Sequence, residues 1–498
     1  MIKYIYIPTG NEVWFNVAVH LYKREIAQPV LWLGDDRHYS KAREFFGQCV
    51  FKKQDFVFYP ERILGINYSG EYSDFFLSNH CARAKDRCVK MMDRLDLYGT
   101  FGRLDRESLF DKLAMWALKE IHDVEPTVLV TSETPHSYTQ YLIYEICLYL
   151  GIEVVKFNTW NIIPILSMKN VKSGLRQKNN FVIDDPVTQK MDRDIKDYVK
   201  SVVDICDFGA YEMPYIKRQR LQLEYKNRII RFFKYGLLAL IKEHVFQARM
   251  VFSQYYYPIN PYKLGAVVRY KVKMLRKKNL LKEFNRTQRT VDLHVKFVYF
   301  ALHFEPERST NPDGGLFHDQ MIAIVKLRDL LPDDTLIYVK EHPSQFYNAE
   351  KGSRGRSPVF YNALDNIKGV QLVAANTNSL DLINNSVFVS TITGTAALEG
   401  AIMGKHALIF GDAWFHGCPN VILWYEGILL DDILGGRVST HDQIIEFLLR
   451  ERVLYTVPGC INHSAQTRHV EYLDEEFLRL EEKCLSDLLE SFFLGLGN

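Results

Sequence analysis

Residues 387–410 read VFVSTITGTAALEGAIMGKHALIF and predict a strand, a turn, a helix and a second strand in succession. Val387, Phe388 and Val389 form an apolar run of β-branched and aromatic residues, which is typical of a buried strand. Residues 396–403 have helical character and are followed by Gly404, and residues 407–410 form another apolar run. The alternation of strand and helix predicts a parallel α/β sheet.

The turn between this strand and this helix is rich in hydroxyl groups: it contains Ser390, Thr391, Thr393, Gly394 and Thr395. Such a turn directs N–H groups and hydroxyls to one point beyond the strand, where the helix dipole adds partial positive charge. The turn is therefore suited to a phosphate group. Glu399, one helical turn further on, is suited to ribose hydroxyls. The alternative is an ordinary capped helix in an α/β domain.

A second polar motif, His342-Pro343, follows the apolar run 336–339. Pro343 disfavours a helical conformation at His342, so the strand is expected to end there with the imidazole in a cleft. Imidazolium offsets the charge of a phosphate, and neutral imidazole can hydrogen-bond it. Lys340 either adds charge or is a solvated strand end. The alternative is a histidine satisfied by the backbone, but the hydroxyl-rich turn is expected on the same edge of the same sheet.

The charge of the chain is unevenly distributed. Between Tyr215 and Thr290, 19 residues are Lys or Arg and three are Asp or Glu, a net charge of +16. The rest of the chain then holds 43 basic and 57 acidic residues, a net charge of −14. We predict that residues 215–290 dock on an anionic membrane surface. The alternatives are an anionic glycan acceptor or solvated helices paired with the acidic domains, and the acidic body argues against nucleic acid.

Length and composition indicate a soluble globular protein of two or three domains. The 498 residues include 47% hydrophobic and 24% charged residues. The start, MIKYIYIP, has the pattern of a strand and not of a signal peptide, and no run of about 18 apolar residues is present. The eight cysteines are scattered, which is typical of reduced thiols in the cytoplasm. Asp192-Arg193-Asp194 matches a D-x-D metal motif by letters, but its alternating charges are those of an exposed helix.

Four blocks in the second half carry a family resemblance: KFVYFALHFEPERSTNPDGGLFHDQ, IYVKEHPSQ, GRSPVFYNAL and VSTITGTAALEGAIMGKHALIFGDAWF. In this order they resemble the capsule polysaccharide biosynthesis family, which includes bacterial Kdo transferases. The resemblance covers roughly residues 290–425. It implies that the His-Pro pair and the hydroxyl-rich turn bind the phosphate and ribose of a CMP-sugar. The residues implied are His342, Pro343, Ser390, Thr391, Thr393, Gly394 and Thr395, with Glu399 for the ribose. Arg356 and Ser357 lie in the third block, and donor binding and loop structure both remain open for them.

The first half resembles the family through VTSETPHSYTQYLIYEICLYLGI, residues 130–152. This stretch is similar to the strand, turn and helix of the family's acceptor domain. Glu133 would lie at the carboxyl end of the strand as a general base or nucleophile, and His136 as a base or acceptor-binding group. The alternative is that Glu133 begins the helix and His136 caps it.

The resemblance implies an α/β fold of GT-B type, with two Rossmann-like domains facing a cleft. The predicted divisions are an acceptor domain at 1–175, a basic helical segment at 176–290, a nucleotide-sugar domain at 291–442, and helices at 443–498 that cross back. The implied function is transfer of Kdo or a similar ulosonic acid from a CMP-sugar to a glycan or lipid-linked acceptor. The positive charge of residues 215–290 predicts that the enzyme works at the inner face of the cytoplasmic membrane. No metal and no permanently bound cofactor is expected. The alternatives are a CDP-polyol phosphotransferase of teichoic type, a nucleotide-sugar epimerase and a non-catalytic scaffold.

Overall fold

The structure is a computed structural model of the 498-residue chain. It describes residues 1–34, 37–52, 70–94, 96, 102–179, 185–208, 272, 279–347, 352, 354–461, 463 and 470–496. Most of the basic segment 215–290, including the helices predicted there, lies outside the described residues.

The strands in the described ranges fall into two sheets. In chain order they are β1 (Ile2–Ile7), β2 (Ala27–Gly34), β3 (Val50–Lys52), β4 (Val128–Thr131), β5 (Glu153–Thr159), β6 (Ile165–Asn170), β7 (Phe297–Ala301), β8 (Leu336–Lys340), β9 (Val370–Leu372), β10 (Val389–Thr391), β11 (Ala407–Ile409), β12 (Val421–Leu423) and β13 (Thr456–Pro458).

The α-helices alternate with these strands. In chain order they are α1 (Glu12–Lys23), α2 (Tyr39–Phe46), α3 (Ser73–Leu77), α4 (Asn79–Met92), α5 (Arg103–Val124), α6 (Tyr138–Tyr149), α7 (Pro186–Phe208), α8 (Asn279–Thr287), α9 (Gln320–Leu330), α10 (Ser344–Tyr347), α11 (Pro358–Asp365), α12 (Ser379–Asn385), α13 (Thr395–Ile402), α14 (Leu430–Leu434), α15 (His441–Tyr455) and α16 (Glu475–Leu496).

The N-terminal sheet has seven strands in the order β13-β6-β5-β4-β1-β2-β3. Its strands β3, β2, β1, β4 and β5 are parallel, and β6 and β13 are added antiparallel at one edge. All four residues of β4 are buried, as expected for a central strand covered by helices on both faces. The strand order reverses between β1 and β4, and such switch points in open α/β sheets are where ligands bind.

The C-terminal sheet has six parallel strands in the order β12-β11-β10-β7-β8-β9. Its order reverses between β7 and β10. Ala301 of β7 pairs with both Thr391 of β10 and Lys340 of β8, so these three strands end in register. The prediction of an α/β fold with two parallel-sheet domains is therefore confirmed.

The C-terminal segment returns to the N-terminal domain. Strand β13 pairs with β6, with Thr456 opposite Ser167. Helix α16 buries Leu485, Leu489 and Phe493 in the same core as the residues of β1 and α1. The expectation that the chain is helical from residue 443 to its end is wrong at β13, because Thr456–Pro458 extend the sheet.

Two lysines of the N-terminal sheet contact one carboxylate of the C-terminal domain. Nζ of Lys156 and Nζ of Lys169 lie 3.2 Å and 2.9 Å from the carboxylate of Asp412, which follows β11. Burial alone would raise the pKa of Asp412, but the two lysine charges lower it to about 2. The carboxylate is therefore ionised and holds the carboxyl edges of the two sheets together.

The D-x-D sequence lies on α7 and faces other parts of the protein. Nε of Arg452 lies 2.6 Å from Oδ1 of Asp192, and the hydroxyl of Tyr472 donates to Asp194. Across the described ranges, no group of three or more metal-ligating side chains is found. Within those ranges, no helix combines the length and apolar composition needed to cross a membrane.

Candidate functional site

The two predicted phosphate-binding motifs lie at one edge of the C-terminal sheet. The His342-Pro343 pair follows β8, and the hydroxyl-rich turn follows β10. Strand β7 runs between them, so the residues after β7 lie at the centre of this edge. The edge includes the switch point between β7 and β10, where a ligand crevice is expected.

Ser390 and Thr391 belong to β10 and not to the turn, because the strand begins two residues later than the apolar run predicts. Both are fully buried. The hydroxyl of Ser390 donates to the carbonyl of Leu408 at 3.2 Å, and that of Thr391 donates to the carbonyl of Ala301 at 2.9 Å. These hydroxyls therefore join β10 to both neighbouring strands.

The turn itself consists of Ile392, Thr393 and Gly394, and α13 begins at Thr395. Thr393 donates its hydroxyl to the carbonyl of Ser309 at 3.0 Å. A Cβ on Gly394 would come within 2.9 Å of Oγ1 of Thr391, so the backbone packs too closely there for a side chain. The first amides of α13 have no acceptor within the helix, and they lie at this edge of the sheet.

His303 holds the turn, although the sequence did not single it out. Its Nε2 accepts the backbone N–H of Thr393 at 3.0 Å, and its Nδ1 lies 3.2 Å from the hydroxyl of Ser309. Burial, together with the neighbouring His342 and Arg356, lowers the pKa of His303 to about 3. His303 is thus a neutral acceptor at the centre of the edge. Its position two residues after β7 is the signal that could have found it.

His342 is half-buried and also neutral. Its Nδ1 accepts the backbone N–H of Ser344 at 3.2 Å, which assigns the proton to Nε2. Burial, followed by the charges of Lys340 and Arg356, lowers its pKa to about 4. At neutral pH the imidazole therefore acts as a hydrogen-bond donor and not as a cation.

Arg356 supports the loop that carries the His-Pro pair. Its Nε donates to Glu341 at 2.9 Å, and Glu341 in turn accepts the backbone N–H of His342 at 2.9 Å. A second guanidinium nitrogen donates to the carbonyl of His303 at 3.1 Å. The side chain is buried, so the geometry assigns Arg356 to loop structure. Ser357 is the N-cap residue of α11.

Lys340, at the end of β8, and Glu399, on α13, interact electrostatically. Nζ of Lys340 donates to the hydroxyl of Ser379 at 2.6 Å, and the lysine is buried, so it is not a solvated strand end. Burial lowers the pKa of Lys340 to about 8, opposed by the charge of Glu399. Burial also raises the pKa of Glu399, opposed by a hydrogen bond with Thr395 and by Lys340.

Glu133 and His136 lie in the turn between β4 and α6. The helix begins at Tyr138 with Ser137 as its N-cap, so neither residue starts or caps it. Oε1 of Glu133 is 3.3 Å from Nδ1 of His136. The other carboxylate oxygen forms an ion pair with Arg308, which lies in the loop after β7. This ion pair connects the carboxyl edges of the two sheets.

Two cavities meet at Glu133. One, of about 90 Å³, lies between the domains, and Arg308, Thr393 and Asp412 are in its wall. The other, of about 250 Å³, lies in the N-terminal domain beside His136. Glu133 and Ile461 line both. Of the described residues in the two walls, Thr393 is the one that belongs to the hydroxyl-rich turn.

Comparison with solved structures gives similarities at low identity. One similar structure is the beta Kdo 2,7 transferase of KpsC from Thermosulfurimonas dismutans, which is 12% identical. The match covers 68% of this chain and 82% of that chain, with a TM-score of 0.29. The beta Kdo 2,4 transferase of the same KpsC is 11% identical, and the match covers 64% of this chain and 78% of that chain, with a TM-score of 0.25. The UDP-GlcNAc 2-epimerase of Methanocaldococcus jannaschii is 11% identical, and the match covers 90% of this chain and 99% of that chain, with a TM-score of 0.23.

Comparison by sequence finds one matching protein family and no matching curated protein. The search of curated proteins found no match. The model of the family described as capsule polysaccharide biosynthesis protein matches residues 319–418, which include the His-Pro pair and the hydroxyl-rich turn. The resemblance predicted from the sequence is confirmed: through these residues of its C-terminal domain, the chain matches the capsule polysaccharide biosynthesis family.

Proposed function

We propose that the protein is a glycosyltransferase of capsular or surface polysaccharide synthesis. It transfers Kdo or a similar ulosonic acid from a CMP-linked donor to a glycan or lipid-linked acceptor. The observation that carries this proposal is that β7, β8 and β10 end at one edge of the sheet. His342 and the turn before α13 lie at this edge on either side of the end of β7, and both belong to the segment that matches the family.

The donor phosphate binds at this edge. The amides at the start of α13 and the Nε2–H of His342 supply hydrogen-bond donors, and the helix dipole supplies partial positive charge. These groups stabilise the charge that develops on the phosphate as the sugar leaves, without a metal ion. Glu399, one turn inside α13, binds the ribose.

Glu133 acts on the reacting sugar. It lies where the two cavities meet, so a sugar held between the domains would contact it. Its carboxylate forms an ion pair with Arg308. An ionised carboxylate is suited to stabilise, or to attack, the positively charged carbon that forms in glycosyl transfer. His136 lies beside it in the larger cavity and contributes to acceptor binding.

We further propose that residues 215–290 hold the enzyme on the inner face of the cytoplasmic membrane. The net charge of +16 in this segment supports that proposal. A lipid-linked acceptor would make such docking useful, because the growing glycan would stay close to the cleft.

Nucleotide selectivity tests the function. Isothermal titration with CMP, CDP and UDP is expected to give tightest binding for CMP, and incubation with CMP-Kdo is expected to release CMP. Preference for CDP with turnover of a CDP-polyol would favour the polyol phosphotransferase. Preference for UDP with epimerisation of a UDP-sugar would favour the epimerase. Absence of binding to all three nucleotides would favour the scaffold.

A further inference from the structure

Arg94 lies just beyond the end of α4 and contacts both domains, although it is in the wall of neither of the two cavities. Its Nη1 donates to the carbonyl of His136 at 3.2 Å, in the turn between β4 and α6. Its Nη2 donates to the carbonyl of Glu307 at 3.0 Å and to that of Asn311, both in the loop after β7. One guanidinium group therefore joins a turn of the N-terminal domain to a loop of the C-terminal domain.

The three carbonyls that Arg94 binds lie close along the chain to the ion pair of Glu133 with Arg308. Glu307 and Asn311 lie on either side of Arg308 in the loop, and His136 follows Glu133 by three residues in the turn. Hydrogen bonds to backbone carbonyls fix the course of a chain that has no regular secondary structure. Arg94 therefore determines where the backbone places both partners of the ion pair.

The same part of the loop reaches the hydroxyl-rich turn. The carbonyl of Ser309 accepts the hydroxyl of Thr393 at 3.0 Å, and the hydroxyl of Ser309 lies 3.2 Å from Nδ1 of His303. Residues 307–311 thus contact the edge where the donor phosphate is proposed to bind, and they also contact Glu133 through the ion pair. A shift of their backbone would change both contacts together.

The end of α4 is docked on the C-terminal domain at further points. Nζ of Lys90 donates to the carbonyl of His318 at 2.8 Å, at the far end of the loop after β7. Arg354, ahead of α11, donates to the carbonyl of Arg94 itself. Arg94 is thus held by the C-terminal domain while its own side chain reaches the turn between β4 and α6.

The chemistry of arginine suits this role. A guanidinium group carries five N–H donors in a planar fork, so one side chain can bind several carbonyls at fixed angles. A lysine has the same charge, but its donors lie on one atom at the end of a flexible chain. Burial lowers the pKa of Arg94, and the charges of Glu305, Glu307 and Asp313 oppose this effect. The acidic residues of the loop therefore stabilise the cation that binds the backbone of the same loop.

We propose, on the basis of the proposed function, that Arg94 is a positioning residue for sugar transfer. It holds the turn of Glu133 and the loop of Arg308 in the relative position that places the Glu133 carboxylate at the donor sugar. It acts through the backbone on both sides of the junction between the domains. A misplacement of about 1 Å caused by a mutation far from the chemistry can lower a rate about 100-fold. Loss of Arg94 is therefore expected to lower turnover and to leave CMP binding in place.

The test compares Arg94→Ala with Arg328→Ala. Arg328 is the matched control because it also donates to three backbone carbonyls, those of Leu331, Pro332 and Thr335. These three residues precede β8, at the opposite end of that strand from His342. Arg94→Ala is expected to bind CMP as the wild type does and to release it from CMP-Kdo about 100-fold more slowly. Arg328→Ala is expected to unfold more easily and to keep the wild-type turnover.

Added guanidinium ion distinguishes positioning from general stability. At a concentration far below the unfolding range, it is expected to restore part of the turnover of Arg94→Ala, because it can bind the same carbonyls in the space of the missing side chain. Arg94→Lys is expected to have an intermediate rate, since it keeps the charge but not the fork. A loss of turnover through general destabilisation would grow as guanidinium is added.

Hydrogen exchange of the whole chain, without substrate, tests the two segments independently of any activity. The probes are peptides that contain the hydrogen-bonded N–H groups of Asn311 and Gly314 in the loop, and of Ser132 at the start of the turn. In Arg94→Ala, both segments are expected to exchange about tenfold faster, the change expected for the loss of a hydrogen bond. In Arg328→Ala, the increase is expected at Thr335 instead.

Three outcomes overturn the proposal. The first is a turnover of Arg94→Ala less than about tenfold below that of the wild type, or a larger loss that guanidinium does not reduce. The second is loss of CMP binding, which would assign Arg94 to the stability of the donor site. The third is faster exchange in only one of the two segments, or in neither. If Arg94→Ala does not fold, Arg94→Lys is measured by the same criteria. If the wild type releases no CMP from CMP-Kdo, the proposed function is wrong, and hydrogen exchange alone decides whether Arg94 joins the two segments.

Discussion

Nε2 of His303 accepts the backbone N–H of Thr393 at 3.0 Å, and this bond joins the ends of β7 and β10 at the switch point of the C-terminal sheet. The carbonyl of the same histidine accepts from Arg356, which is bound to Glu341. Glu341 accepts the N–H of His342. The two predicted phosphate motifs are therefore connected by one buried network, and a change in it is expected to reach both.

His342→Ala is expected to weaken CMP binding by about 1.5–3 kcal/mol, the usual contribution of a hydrogen bond to a charged group. The reason is that the variant lacks the Nε2–H group while leaving the turn before α13 in place. Isothermal titration measures the change in affinity, and thermal unfolding shows whether the fold is intact. Unchanged CMP affinity in a folded variant would remove His342 from the donor site.

Stability is expected to fall between neutral pH and about pH 4. His303 and His342 have pKa values of about 3 and about 4 in the fold, below the ordinary value near 6.5. The unfolded chain therefore binds protons that the folded chain does not. The free energy of unfolding keeps its full value above about pH 6.5. As pH falls from there towards those pKa values, it decreases by about 1.4 kcal/mol per pH unit for each histidine.

The variant His303→Gln isolates this effect. Glutamine retains an acceptor for the N–H of Thr393 but does not titrate. Urea unfolding of wild type and variant at pH 7, 6 and 5 is expected to show a shallower loss of unfolding free energy in the variant. Parallel losses in the two proteins would mean that His303 does not contribute to the pH dependence.

Glu133→Gln is expected to lower transfer by at least about 100-fold, the lower end of the usual effect of a catalytic acid or base, and to leave CMP binding unchanged. The substitution keeps the shape of the side chain but removes the negative charge at the junction of the two cavities. CMP release from CMP-Kdo measures turnover, and titration with CMP measures binding. Full turnover in the variant would move the catalytic group elsewhere, with His136 the next residue to test.

The C-terminal site could be predicted where local sequence determines it. Apolar runs followed directly by polar residues predict β8 and β10 to within two residues, and parallel strands bring their carboxyl ends to one edge of the sheet. The apolar run alone places Ser390 and Thr391 in the turn, although they pair with β7 and β11. Pairing between strands, and not local propensity, determines where a short strand ends.

Contacts between distant parts of the chain could not be predicted. The ion pair of Glu133 with Arg308 depends on how the two domains face each other. Strand β13 has three residues, and it is a strand because β6, almost 300 positions earlier, offers it a free edge.

The basic segment is expected to bind anionic vesicles. Each basic residue near an anionic surface contributes about 1 kcal/mol, so even a third of the 19 basic residues in 215–290 would supply several kcal/mol. In flotation with vesicles, the protein is expected to rise with those that contain phosphatidylglycerol and not with those of phosphatidylcholine alone. Binding is expected to weaken as salt rises from about 0.05 to 0.5 M, because salt screens the attraction.

Replacing basic residues tests whether residues 215–290 are the part of the chain that binds the vesicles. One variant replaces five basic residues of the segment with glutamine: Lys271, Lys273, Arg276, Lys277 and Lys278. A matched control replaces five exposed lysines elsewhere: Lys3, Lys119, Lys172, Lys326 and Lys368. The first variant is expected to lose most of its flotation and the second to keep it, because only the first reduces the local charge of the segment. Equal flotation of both variants would assign membrane binding to another surface. Failure of the wild type to float at low salt, while it transfers sugar to a soluble acceptor, would favour an anionic glycan or the acidic domains as the partner of residues 215–290.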